Sequence, residues 1–158
     1  SVCCDIYDGV EDLKEGPNAS LDIEGAAFQT FDDACNWLQY TMNDGDPGGA
    51  KTACEVEIAA HGWEDGLVMQ KHNGYGAIGY AQIKGGLKKL TGGNSDSKIT
   101  INSCHSAGEP KQDKDGVEDN ENLCQQVAEG VGCEVTGRTG TDGDKMKTEL
   151  VPENWTDG

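Results

Sequence analysis

Residues 99–108, ITINSCHSAG, decide how this chain is built. Ile99 and Ile101 alternate with polar residues at the period of a half-buried strand, and the run then breaks off at a cysteine, a histidine and small residues. A strand that ends there displays the thiol of Cys104 at its carboxyl end. The pattern has an earlier counterpart in CEVEIAAHG, residues 54–62, where Val56, Ile58 and Ala60 alternate with glutamates and lead into His61-Gly62.

Helical patterns lie between and around these strands. Thr30 or Asp32 can cap a helix through FDDACNWLQYTM, with Phe31, Ala34, Cys35, Leu38 and Met42 along one face. Residues 80–90 carry the stripe Ile83, Leu87, Leu90. LCQQVAEGVG ends a third helix at glycine before the last strand, CEVTGRTG. Residues 2–7 read as a first strand, residues 21–28 as a second extended segment, and residues 66–80 as a hairpin turning near Asn73-Gly74. Strands alternating with helices predict an α/β domain with a mostly parallel sheet and helices on both faces, a three-layer sandwich. In such sheets functional groups gather at the carboxyl ends of the strands, which selects His61 and Cys104.

Composition sets the limits. Val, Ile, Leu and Phe number 26 of 158 residues and the net charge is −17. That composition leans toward disorder, but the apolar residues fall in short patterned runs and the chain has seven cysteines. A domain keeps only about 5–15 kcal/mol of net stability, so disulfides of about 2–4 kcal/mol each would staple a thin core. The cysteines lack paired CxxC spacing and there are three histidines, which argues against structural zinc. Disulfides imply a secreted or extracellular protein, and two sequons, at Asn18 and Asn154, are compatible with that. If six cysteines pair, one thiol is left over, and Cys104 is the natural one. Strong acidity disfavours nucleic acid and anionic membranes, and no apolar run is long enough to span a bilayer. The whole chain reads as one domain, residues 1–158, with its core in about 1–140 and an acidic tail over 141–158.

The Cys–His pair has a definite chemistry. A thiol attacking a peptide carbonyl needs a base or cation beside it to become thiolate, and imidazole serves both roles. The oxyanion needs backbone N–H donors, and Gly62, directly after His61, is a candidate donor alongside Cys104. His105 adjoins Cys104, but neighbours on an extended chain point to opposite faces, so His61 is the expected base. Cys35, in the DAC triplet, sits inside a helix rather than at a strand end and reads as a core or disulfide-bonded residue.

AAHGWEDG and INSCHSAG resemble the two signature blocks of the caspase-like (clan CD) cysteine peptidases, and SCHSAG is particularly similar to the corresponding metacaspase block. The likeness, which extends to bacterial toxin self-cleaving domains, spans about residues 54–142. It implies a caspase-like sandwich and a cysteine endopeptidase, secreted or at the surface if the disulfide reading holds, acting through a His61/Cys104 dyad and an acyl-enzyme. The substrate would be a peptide or protein, including the protein's own precursor, with no cofactor required. Metacaspases carry an aspartate two residues before the nucleophile, which helps to bind a basic P1 side chain; this chain has Asn102. Arg138, the chain's one arginine, follows the last strand in a region that borders the S1 pocket in relatives, and would select an acidic P1 residue. Asp8, or Asp5, near the end of the first strand would favour the opposite specificity.

Two other readings stay open. One is a catalytically inactive caspase-like extracellular interaction domain. The other is an acidic module stabilised by Ca²⁺ at Asp113, Asp115 and Asp119, with Glu121 beside them. The glycine of that loop does not align with an EF-hand. The oligomeric state is left open by the sequence.

Overall fold

The structure is a computed structural model and describes residues 18–23, 28–71, 74–109 and 121–155. The strand expected over residues 2–7 lies outside these, as do Asp5, Asp8, Asp113, Asp115 and Asp119. Eleven elements follow in chain order: β1 (Asn18–Asp22), α1 (Phe31–Met42), β2 (Glu55–Ala59), β3 (Gly62–Trp63), β4 (Gly66–Lys71), β5 (Gly74–Gly79), α2 (Tyr80–Thr91), β6 (Lys98–Asn102), α3 (Leu123–Val131), β7 (Glu134–Arg138) and β8 (Met146–Glu149).

The expected helices form where their stripes and caps direct. Thr30 caps α1, its side chain accepting from the Asp33 N–H at 3.0 Å, and Phe31, Ala34, Cys35, Leu38 and Met42 are buried as the period requires. α2 buries Ile83, Leu87 and Leu90, while α3 ends at Gly132 in the left-handed conformation, φ 87°. The neighbouring glycines of α2 divide sharply. A Cβ on Gly86 would lie 2.5 Å from Cys35 Sγ, so α1 and α2 cross closely there, whereas a Cβ on Gly85 would meet nothing within 4 Å. Gly85→Ala is therefore expected to raise stability by about 0.5–1 kcal/mol and Gly86→Ala to lower it by about 1–3 kcal/mol, measured by urea unfolding.

Two separate sheets form. β1, β2, β6, β7 and β8 lie side by side in chain order; the first four are parallel and β8 pairs antiparallel with β7. β3, β4 and β5 make a small antiparallel sheet that carries Leu67, Met69 and Ile78 into the core. The short β3 is an element the sequence pattern did not indicate. β8 falls within the acidic stretch after Thr141, expected to lie outside the core, and extends the main sheet by one strand.

Helices on both faces were expected; the described helices share one. Strand order in the main sheet never reverses, so successive right-handed crossovers deliver every helix to the same side. α1 accordingly packs on α2, and α2 on α3. Val56, Ile58, Ile99, Ile101 and Val135 are buried beneath them, while the alternate residues Glu55, Glu57 and Lys98 are exposed on the opposite face. An ion pair, Lys98 Nζ to Glu134 Oε1 at 3.6 Å, bridges β6 and β7 on that polar face.

The disulfide staple is also overturned. Cys35, Cys54, Cys104, Cys124 and Cys133 are free thiols; Cys3 and Cys4 lie outside the described residues. Four of the five are buried and behave as small core hydrophobes: Cys35 faces Gly86, and Cys124 faces Gly137. The inference of a secreted protein from cross-links, and of Cys104 as the one cysteine left over from pairing, loses its basis. Adding a reductant is expected to leave the melting temperature within about 2 °C, because no long loop is closed by a described cross-link.

Candidate active site

Parallel register builds the site. Ala59 of β2 pairs with Asn102 of β6, so the chain carries His61 and Cys104 an equal two residues past a paired rung on adjacent strands. Parallel neighbours lie about 4.8 Å apart. Both residues therefore lie just past the carboxyl ends of adjacent strands of the main sheet. His61 is exposed, and Cys104 is half-buried, the one described cysteine outside the closed core.

The segment after His61 turns back at once. The His61 carbonyl accepts from the Val68 N–H at 2.8 Å, and Gly62 pairs with Leu67. Antiparallel pairs alternate between bonded and non-bonded rungs, so Gly62 directs its N–H away from β4. Gly62 is also where the two loops touch. A Cβ there would stand 2.1 Å from Ser103 Oγ and 2.5 Å from the Gly66 carbonyl oxygen. Ser103 is fully buried, and its hydroxyl has no partner among the described residues.

The turn after β6 is fastened from three sides. Ser106 Oγ donates to the Ile101 carbonyl at 2.8 Å and accepts from the Arg138 N–H at 3.2 Å. The His105 N–H donates to Gly140 O and the Ala107 N–H to Arg138 O, which ties the turn to β7. The N-terminus of α3 closes the arrangement. Asn122, buried, caps the Gln125 N–H at 2.9 Å and donates from Nδ2 to Gly108 O at 3.0 Å, while the Leu123 N–H reaches Glu64 O behind His61. Among the described groups nothing accepts the Cys104 N–H. An N–H without an internal acceptor is the kind of group that can donate to an oxyanion.

His105 sits at φ 61°, in the left-handed region where a non-glycine residue is strained by about 1 kcal/mol. That bend lets the chain leave Cys104 and turn toward β7. His105→Asn tolerates the same backbone, so it is expected to keep the fold within about 0.5 kcal/mol and to leave the alkylation rate of Cys104 within about threefold. A large drop would make His105 rather than His61 the partner of the thiol.

Burial sets three of the other four described thiols apart. Desolvation pushes Cys35, Cys124 and Cys133 each up to about 12, with Asp32 adding to the effect at Cys35 and Glu134 at Cys133; a Ser106 hydrogen bond opposes it at Cys124. These three stay protonated and inert at neutral pH.

Of the candidate specificity residues, Asn102 and Arg138 are brought together, Arg138 Nε donating to Asn102 Oδ1 at 2.6 Å. Asp8 lies outside the described residues, as do the candidate calcium ligands Asp113, Asp115 and Asp119. Glu121, next to them in sequence, hydrogen-bonds Glu129, which together with burial and the charges of Glu129 and Glu149 holds its carboxyl up at about 7. Among the described residues no three His, Cys, Asp or Glu side chains converge as metal ligands, and no helix is long and apolar enough to cross a membrane. A groove of about 280 Å³ runs between the start of α1, Met69, Ile78 and Gln82; its one charged group is Asp32, and it has no nucleophile. The approach of Ser103 to Gly62 and the links from the start of α3, Asn122 to Gly108 O and the Leu123 N–H to Glu64 O, were not legible beforehand, because each depends on segments distant in sequence. No family model and no curated protein matches the chain.

Proposed function

We propose that this chain is a cysteine endopeptidase in which His61 and Cys104 are the working pair. The observation that carries the reading is the register of β2 on β6, which brings a histidine and an accessible thiol out together at the edge of a parallel sheet. His61 takes the thiol proton, and the Cys104 sulfur attacks the peptide carbonyl carbon. The carbon–sulfur bond forms, the oxyanion is held by the Gly62 and Cys104 N–H groups, and the carbon–nitrogen bond breaks as His61 returns the proton to the leaving amine. Water, deprotonated by His61, then attacks the thioester, releasing a carboxylic acid and the thiol.

The packing of the other described cysteines supports this reading indirectly: Cys35, Cys54, Cys124 and Cys133 are buried, and Cys104 is the one described thiol that is not. The test is covalent trapping with a peptide acyloxymethyl ketone followed by mapping of the labelled residue. Label on Cys104, slowed strongly in His61→Ala, is the expected result. A folded protein that forms no adduct at Cys104 would make the domain an interaction module without catalysis.

A further inference from the structure

We infer that the groove between the starts of α1 and α2 binds a lysine or arginine side chain of a peptide, with the aliphatic stem on Met69 and Ile78 and the cation at Asp32. The cation-binding chemistry stands by itself; that a peptide carries the cation rests on the peptidase reading above.

The groove encloses about 280 Å³. Sites for cofactors and drug-sized ligands run from about 300 to 1,000 Å³, so this one suits a side chain better than a whole cofactor. Its floor is apolar, made by the buried Phe31, Met69 and Ile78. A methionine in that position adapts to the shape of what it receives. Asp32, Gln82 and Gly85 are exposed at the rim. Gly85 provides the opening: a Cβ there would meet nothing within 4 Å, whereas one on Gly86 would press on Cys35. An apolar floor under a charged rim matches a side chain with an apolar stem and a charged head.

The rim also sets the sign of the charge. Asp32 is the one charged residue lining the groove, and Asp33 follows it in the first turn of α1. Both helices begin at the groove, and each N-terminus is worth about half a positive charge, which the two carboxylates outweigh. Two other polar side chains of the rim are engaged within the protein. Thr30 Oγ accepts from the Asp33 N–H at 3.0 Å, and Gln82 Oε1 accepts from the Gly79 N–H at 2.7 Å. Lys88 and Lys89 lie in the last turn of α2 and do not line the groove; Lys89 Nζ donates to Asn36 Oδ1 at 2.6 Å. The net charge of −17 draws cations toward the surface as a whole.

Position ties the groove to the candidate active site. Gly62 pairs with Leu67 and Leu67 with Ile78, so the three form one row across the small sheet. Strands about 4.8 Å apart put Ile78 about 10 Å from Gly62, which an extended peptide covers in about three residues. One peptide can therefore lie along His61 and Cys104 and place a side chain about three positions from the scissile bond in the groove.

The first experiment needs no turnover. Cys104→Ala protein is titrated with short blocked glycine peptides carrying Lys, norleucine or Glu at the centre, and amide shifts are followed by NMR. Shifts are expected at Phe31, Ala81 and Gly85. Lys should bind about three- to tenfold more tightly than norleucine, the worth of an exposed charge contact, and Glu most weakly. Asp32→Asn should remove the Lys advantage and leave norleucine unchanged, while Gly85→Leu, which fills the opening, should abolish both. Equal binding of Lys and norleucine, binding that survives Gly85→Leu, or no shift at these residues overturns the inference. The second experiment follows turnover by the wild type. A Lys about three residues from the scissile bond should raise kcat/KM by about three- to tenfold over norleucine, and Asp32→Asn should cancel the gain. Cys104-dependent cleavage indifferent to that Lys overturns the groove's role in substrate binding and leaves the peptidase reading standing. Lys binding in the groove with no Cys104-dependent cleavage and no acyloxymethyl-ketone adduct overturns the peptidase reading and supports the cation site alone.

Discussion

Replacing Cys104 with alanine is expected to lower peptide turnover by a factor on the order of 10³ or more, and His61→Ala by a comparable factor, because members of one catalytic unit fail together. The double variant should be no worse than either single one, a non-additivity that separates a working pair from two independent contacts. Thiol chemistry gives a readout without a substrate. Iodoacetamide added to the native protein should modify Cys104 ahead of Cys35, Cys124 and Cys133, whose thiols burial holds at about 12. Those three should react only when urea opens the core. The rate at Cys104 should drop in His61→Ala while the unfolding free energy stays within about 0.5–1 kcal/mol of wild type, since His61 is exposed. Equal labelling of buried and accessible cysteines in the native state would contradict the packing described for all of them.

The parts legible in the sequence were those governed by local rules. The stripe from Phe31 to Met42 and the cap at Thr30 needed only helical period and side-chain chemistry, and both formed as read. The strand ends at His61 and Cys104 were visible as alternation breaking off, although their equal height required the register of Ala59 on Asn102. That the described helices share one face has a reason the sequence did contain. Glu55 and Glu57 flank Val56 in β2, and a parallel strand buried on both faces would read as a continuous apolar run instead. Those glutamates mark a face that none of the described helices covers.

The cysteines were misjudged because a cysteine count does not distinguish pairing from burial. Cys35 and Cys124 occupy apolar positions of helical stripes, where a small thiol packs against a glycine of the neighbouring element. β8 was missed because none of its four residues, Met146 to Glu149, is buried; it is specified by its pairing with β7 and by cross-strand contacts such as the Thr136–Thr148 hydroxyl bond at 2.7 Å. The Arg138–Asn102 bond was beyond reach for the same kind of reason, since it exists only once β7 lies beside β6.

Gly62→Ala should be among the most damaging single-methyl changes in the protein. The added Cβ would stand 2.1 Å from Ser103 Oγ and 2.5 Å from the Gly66 carbonyl oxygen. A hydroxyl can rotate out of the way; a carbonyl held in the antiparallel β3–β4 pair cannot move without shifting the hairpin. Overpacking of this kind costs about 1–3 kcal/mol, and the upper end is expected here because backbone is involved. For a chain of this size that corresponds to a fall in melting temperature of about 5–10 °C. Ser103→Gly in the same chain removes one of the two collisions, so the double variant should recover part of the loss and no more. Full recovery would place the strain at the serine alone, and no loss at all would mean that the His61 and Cys104 loops are farther apart than the contact requires. Activity should fall further than stability does, since the methyl group also displaces the Gly62 N–H from the position where an oxyanion would be held. A variant that is still folded at 25 °C but has lost acylation at Cys104 would separate the two effects in one measurement.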